Sequence, residues 1–318
     1  MTTSLRLYIT LLLAMTLIGC EEVVDLGVDF DPQVVVVSEI APDRPLTVSL
    51  SYAQPILSRE PITYIEMAEV SLTNTMTEFQ FPLLLERPTK DTLNPNLPDH
   101  PYFLSEETIT ENRQDAYELS VEVPGETTIT AVTDIPPPVS LNELTLDRFV
   151  KNSDPREEDI YNVEVSFNFD HNEFVGQDYH LVFYFRFLFF EAENRDTVYF
   201  IRTQIPELQK LNTSIPYSTD FENGALLQGK DLRNGQHQLS AELAVDFTED
   251  LSPFPPQLVV ELRNTSKDYS QYHLALSRQL VQRDSILSQA IVIPSNIENG
   301  LGLFGGYNYD IEFINLTN

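Results

Sequence analysis

The sequence predicts a mainly β protein. An N-terminal immunoglobulin-like β-sandwich (33–138) is followed by a second β-sandwich-like domain (139–318) with one helix near 266–290. Three observations predict this. Apolar and polar residues alternate with period two in many short runs, the pattern of a strand with one buried and one wet face. Pro136-Pro137-Pro138 breaks the alternation in mid-chain, where neither a ladder nor a helix can continue. A single stretch, Tyr269 to Leu287, instead carries apolar residues at helical spacing.

In chain order, the first element is a leader. Met1 to Arg6 is positively charged, Leu7 to Leu17 is apolar, and Gly19 precedes Cys20, the chain's only cysteine. This is the tripartite pattern of a secretory signal peptide over residues 1–19. Leu17-Ile18-Gly19-Cys20 resembles the lipobox of bacterial lipoproteins. The resemblance implies a diacylated (palmitate-type) Cys20 thiol, cleavage ahead of it and an acylated new amino terminus. The competing reading is a buried N-terminal helix with an incidental thiol. A membrane span takes about 20 apolar residues, more than this run supplies. Residues 20–32, with Glu21, Glu22, Asp25, Asp29 and Asp31, read as a lipidated acidic tether. They resemble the export tag of surface-exposed lipoproteins of Bacteroidota, which implies an outer-membrane anchor facing the cell exterior.

Strands follow. Val34 to Val37 is a buried-strand run, while Leu46 to Tyr52, Glu69 to Thr73 and Tyr117 to Val123 alternate. Pro124-Gly125 reads as a turn into a strand from Thr127 to Val132. Pro82 to Pro101 lacks a period and reads as a long exposed loop. The triple proline is expected to be a stiff linker closing the first domain. Beyond it, Val163 to Phe169 alternates, and Tyr179 to Phe190 is the most apolar stretch after the leader. Its odd positions, Leu181, Phe183, Phe185, Phe187 and Phe189, form an apolar face, best read as core rather than as a ligand platform. Asn234-Gly235 is a hairpin turn before a strand from Gln238 to Phe247, and Leu258 to Leu262 is another strand. The helix is capped by Ser266, shows Tyr269, Tyr272, Leu276, Leu280 and Leu287 on one side, and stops before Pro294. It is expected to cover a sheet or an open edge of the second domain.

Composition narrows the function. The 318 residues carry 19 basic against 49 acidic side chains, a formal net charge of −30. Arg6 is the only charged residue ahead of Cys20, so loss of the leader makes the chain more acidic still. Such a chain repels nucleic acid and anionic lipid, so no nucleic-acid partner is expected and attachment must come from acyl chains, at about 0.8 kcal/mol per buried methylene. An apolar fraction of 42% with 10% aromatics argues for packed cores over disorder. With Cys20 acylated, no thiol is left for a disulfide, a zinc cluster or a nucleophile.

The motifs point to no chemistry. Gly300-Leu301-Gly302-Leu303-Phe304-Gly305 spells a dinucleotide-binding string, but a strand-like run, Tyr307 to Phe313, follows where the fingerprint needs a helix. A glycine-rich bend with Phe304 tucked inward is the preferred reading. The histidines (His100, His171, His180, His237 and His273) are scattered without metal-ligand spacing. Asp170-His171-Asn172-Glu173 lacks the glycine and spacing of a calcium loop and reads as a solvated turn. No serine sits in a nucleophile elbow. No catalytic residue, cofactor or metal ligand is therefore expected. Asp91-Thr92-Leu93, Asp196-Thr197-Val198 and Asp284-Ser285-Ile286 resemble the O-glycan acceptor triplet of exported Bacteroidota proteins.

The lipobox and acidic tether are followed by Val35-Val36-Val37-Ser38-Glu39-Ile40, Ala68-Glu69-Val70-Ser71-Leu72 and Tyr117 to Ile135 before the prolines. Ser295-Asn296-Ile297-Glu298-Asn299-Gly300-Leu301-Gly302-Leu303-Phe304 ends the series. In this order they resemble the domain-of-unknown-function family 4249, lipoproteins of Bacteroidota often found beside TonB-dependent outer-membrane transporters. The resemblance implies a non-enzymatic binding or lid subunit in nutrient uptake and assigns no residue role beyond the lipid on Cys20. A structural or adhesive surface protein is the alternative. The absence of tryptophan weakens a carbohydrate-stacking role.

Overall fold

The alternating runs become strands in a computed structural model that describes residues 32–55, 60–88, 97–109, 115–152, 160–171, 178–193, 196–219, 224–246, 255–282 and 291–316. The leader and nearly all of the tether, Asp91-Thr92-Leu93, Asn172-Glu173, Asp284-Ser285-Ile286 and Leu287 lie outside these residues.

The first part of the chain forms β1 (Val34–Ile40), β2 (Pro45–Tyr52), β3 (Glu69–Asn74), β4 (Gln80–Glu86), β5 (Tyr102–Thr108), β6 (Ala116–Glu122) and β7 (Ile129–Asp134). Next come β8 (Leu141–Lys151), β9 (Ile160–His171), β10 (Asp178–Glu193), β11 (Asp196–Gln204), β12 (Glu207–Asn212), β13 (Tyr217–Ser218), β14 (Gly224–Leu227), β15 (Gly235–Asp246) and β16 (Gln257–Thr265). Helix α1 (Lys267–Gln282), β17 (Ile297–Glu298) and β18 (Leu301–Asn315) complete the order. The protein is mainly β, as the alternation predicts.

Two apolar cores organise these strands. Val36, Leu46, Leu50, Leu72, Leu119 and Val121 belong to the first. The second packs β10 and β16 against β9 and β15, with Leu181, Phe183, Phe185, Val260, Phe167, Phe169 and Leu239 fully inside. Phe187 and Phe189, expected on the same face, lie among side chains that are not described.

The expected loop from Pro82 to Pro101 begins as a strand. Pro82 faces Ser71, with Phe81 and Leu83 buried on either side of it. The strand β4 pairs with β3 up to Leu83 and with β5 from Leu84. At each position it has one neighbour, so a proline forfeits at most one ladder bond.

The larger departure lies at the C-terminal end. Instead of a bend, Gly302, Gly305 and Gly306 lie inside β18, a single strand that serves both cores. Leu301 to Gly306 pairs in parallel with β1, and Tyr307 to Asn315 pairs antiparallel with β16. Ile297 and Phe304 belong to the first core, so residues late in the chain help to close the sandwich built from its start. Glycine is needed here because backbones meet. A Cβ on Gly302 would lie 2.0 Å from the Val36 carbonyl oxygen, and one on Gly306 2.0 Å from that of Asp134. Asn296 completes the closure: its Oδ1 accepts from the Phe304 N–H at 3.0 Å and its Nδ2 donates to the Phe304 carbonyl at 2.7 Å. The Asn-Ile…Gly-x-Gly-x-Phe segment is thus a backbone fastening.

The triple proline is tied to both β18 and β16. Prolines offer carbonyls but no N–H, and two asparagines supply the donors. Nδ2 of Asn308 donates to the Pro136 carbonyl at 3.0 Å and Nδ2 of Asn264 to that of Pro137 at 2.8 Å. Asn308→Ala leaves a buried carbonyl without its donor and is expected to cost about 1–3 kcal/mol, readable as a lowered urea midpoint.

Ser266 caps the helix as expected, its Oγ accepting from the Tyr269 N–H at 3.4 Å and from the Gly306 N–H at 3.2 Å. Tyr269 is buried, Tyr272 and Leu276 are half-buried, and Leu280 is exposed. Among the described side chains, the buried side of the helix runs from Tyr269 to Ser277, and Leu280 lies outside it.

Candidate functional site

Beneath the first turns of the helix lies the densest polar cluster among the described residues. Its parts come from distant segments: Glu39 near the end of β1, Arg44 just before β2, Glu261 and Arg263 on β16, Tyr307 and Tyr309 on β18, and Tyr269 and His273 on α1. On β18, Gly305, Tyr307 and Tyr309 alternate onto the face that meets the helix. A Cβ on Gly305 would sit 3.1 Å from Cβ of Tyr269, so the small residue sets how closely the helix packs.

Glu261 is the centre. Its side chain is only 2% exposed, and it receives Nη2 of Arg44 at 2.9 Å and Nε of Arg263 at 2.6 Å. Nη1 of Arg263 also donates to the Tyr269 hydroxyl at 2.8 Å, which lies 3.1 Å from Nδ1 of His180. The Arg44 guanidinium rests over the Tyr309 ring at 4.1 Å, and that of Arg263 over Tyr307 at 4.7 Å. Nε2 of His273 donates to Oε1 of Glu39 at 2.8 Å. One buried carboxylate, Glu261, thus meets two guanidinium groups, as a buried charge requires.

The electrostatics follow from this pairing. Burial pushes the Glu261 carboxyl up, but Arg263 and Arg44 outweigh it and hold it below the ordinary range. Glu39 behaves likewise, with burial outweighed by His273, Arg263 and Arg44. Burial raises the Tyr307 phenol to about 12 despite the pull of both arginines, and lifts Tyr269 well above the usual value. The phenols therefore stay protonated and serve as hydrogen-bond partners and π faces. Chemically, the cluster locks the helix onto the strands that join the two cores.

The structure brings four of the histidines together in pairs, His171 and His237 with ring centroids 6.2 Å apart and His180 and His273 through a shared neighbour. His180 and His273 both touch Tyr269. His171 lies 2.9 Å from the Tyr179 hydroxyl, and His237 hydrogen-bonds the Arg233 carbonyl at 2.7 Å. Among the described residues, no three His, Cys, Asp or Glu side chains are placed to hold a metal ion.

His100 stacks on Tyr64 at 4.4 Å, with Nε2 2.9 Å from Oγ of Ser49 and Nδ1 3.3 Å from Oδ1 of Asp99. The order of contacts is that of a hydrolytic triad. However, Asp99 is 88% exposed, whereas a triad carboxylate works from a buried position. These contacts pack the segment before β5 onto β2.

Cys20, the one site residue expected from the sequence, lies outside the described residues. The ion-pair cluster was not foreseen. Its visible trace is Glu261, an acid inside the apolar run Leu258 to Leu262 of a strand buried on both faces.

The family described as Domain of unknown function (DUF4249) matches residues 21–311. No curated protein matches the chain.

Proposed function

Because this chain belongs to the DUF4249 family, we propose that it is a surface-exposed outer-membrane lipoprotein, anchored by acyl chains on Cys20. In this reading it is a non-enzymatic binding or lid subunit of a TonB-dependent nutrient transporter. The observation that carries the anchor is Leu17-Ile18-Gly19-Cys20, which stands directly ahead of the matched region. The buried cluster supports a non-enzymatic reading, because the Glu261 carboxylate, 2% exposed, is already taken up by Arg44 and Arg263. A net charge of −30 leaves acyl chains as the means of holding a membrane.

Cys20→Ala is expected to move the protein from the membrane pellet to the soluble fraction, because a single cysteine carries the whole anchor. Retention in the pellet after salt washing would contradict the anchor. The transporter role is tested separately, by purifying the acylated chain from its native membranes in mild detergent. Co-purification of a TonB-dependent barrel is expected, and recovery of the chain without one would contradict the accessory role.

A further inference from the structure

Sulfur is distributed unevenly along this chain. Its one cysteine is Cys20, and two of its four methionines, Met1 and Met15, precede that cysteine. The rest of the chain holds only Met67 and Met76. Methionine is ordinarily among the residues found buried, where its unbranched thioether fills irregular gaps. Here both side chains face solvent. Met67 is 77% exposed and Met76 74%, and among the described residues neither apolar core contains a methionine.

Each stands where a change at sulfur has little to disturb. They flank β3, Met67 just before its start at Glu69 and Met76 just after its end at Asn74. The turn that carries Met76 is fixed without the sulfur. Oδ1 of Asn74 accepts from the Met76 N–H at 2.9 Å and from the Thr77 N–H at 3.0 Å, while its Nδ2 donates to Oδ2 of Asp115 at 2.9 Å. The Asn74 N–H donates to the Phe79 carbonyl at 2.9 Å, and its carbonyl accepts from Glu78 at 2.8 Å. At the other end, Glu66 beside Met67 pairs with Nε and Nη2 of Arg87, and the N–H of buried Ile65 donates to the Leu50 carbonyl at 2.9 Å.

The chemistry open to these groups is oxygen transfer. A sulfur lone pair attacks one oxygen of hydrogen peroxide, the O–O bond breaks, and the other oxygen leaves as water. The thioether becomes a sulfoxide, losing the two electrons that the peroxide gains. Within a core the new polar oxygen would be buried at a cost. At a sulfur that already faces solvent, water solvates it.

We propose that Met67 and Met76 are oxidant-accepting sites, converted to the sulfoxide by hydrogen peroxide while both cores stay intact. This is independent of the acyl anchor and of the transporter role, and either can fail without the other.

The test treats the full chain with hydrogen peroxide. Peptide mass spectrometry follows oxygen uptake at each methionine, with free methionine in the same solution as the reference, and urea unfolding reads the stability. Both residues are expected to react within about threefold of the rate of free methionine, with an unchanged urea midpoint, and methionine sulfoxide reductases are expected to return both to the thioether. A variant carrying Met67→Leu and Met76→Leu, treated in parallel, reports damage at other residues. Reaction at either site about tenfold or more slower than free methionine would reveal a covered sulfur and overturn the proposal. So would a midpoint that falls on oxidation of the wild type but not of the double variant, or one that the reductases restore.

Discussion

Gly302→Ala is expected to destabilise the protein by about 3 kcal/mol or more. Two costs combine. The residue has φ +115°, a conformation that L side chains avoid at roughly 1–2 kcal/mol. The methyl would also stand 2.0 Å from the Val36 carbonyl oxygen, and forced overpacking costs about 1–3 kcal/mol. Relief would require β1 and β18 to separate where they pair in parallel, and this pairing closes the first core. Gly125 provides the control. It too has positive φ, +92°, yet a methyl there meets nothing within 4 Å. Gly125→Ala should therefore cost only about 1–2 kcal/mol, the conformational part. Urea unfolding of the two variants separates steric from conformational cost. Equal losses would show that the approach to Val36 relaxes freely.

The second large effect is expected from Glu261→Gln, at about 3–5 kcal/mol. Removing one partner of a buried ion pair leaves the other charge uncompensated, and here two guanidinium groups lose their shared carboxylate. The same residue sets an acid sensitivity. Glu261 and Glu39 both titrate below 4.5 in the folded chain. Their stabilisation is therefore complete above the unfolded value, near 4.5, and is lost as pH falls through the lower folded values. The wild type should lose stability steeply below about pH 4.5. Glu261→Gln should be weaker at pH 7 but lose less on acidification. Parallel pH profiles for the two proteins would show that Glu261 carries no such coupling.

Where one face of a strand is buried and the other wet, the sequence is easy to read. Thus β2, β3, β6 and β9 follow directly from their alternation, and Ser266 marks the start of the helix. What escaped has particular physical reasons. Pro82 hid β4 because a proline usually ends a ladder, whereas this strand changes neighbours one residue later. The glycines of β18 resembled a bend because glycine is poor in strands. Here they are required by the backbones of β1 and of the segment entering the prolines. The ion-pair cluster was invisible for a different reason. Apart from Glu261 in its apolar run, the members are ordinary charged or polar residues in their own segments, and the pairing of β18 with both β1 and β16 brings them together. Cys20 is the converse case, an expectation drawn from its neighbours in sequence that lies outside the described residues.

The central structural claim is that one strand, β18, is integral to both cores, so that they open together. Native-state hydrogen exchange along β18 tests it most directly. The slowest amides of Leu301–Gly306 and of Tyr307–Asn315 are expected to exchange with the same opening free energy, equal to that of global unfolding. If the Leu301–Gly306 half exchanged several kcal/mol more easily while the other half stayed fully protected, the segment would be a loose attachment to the first sandwich, and the claim would be wrong.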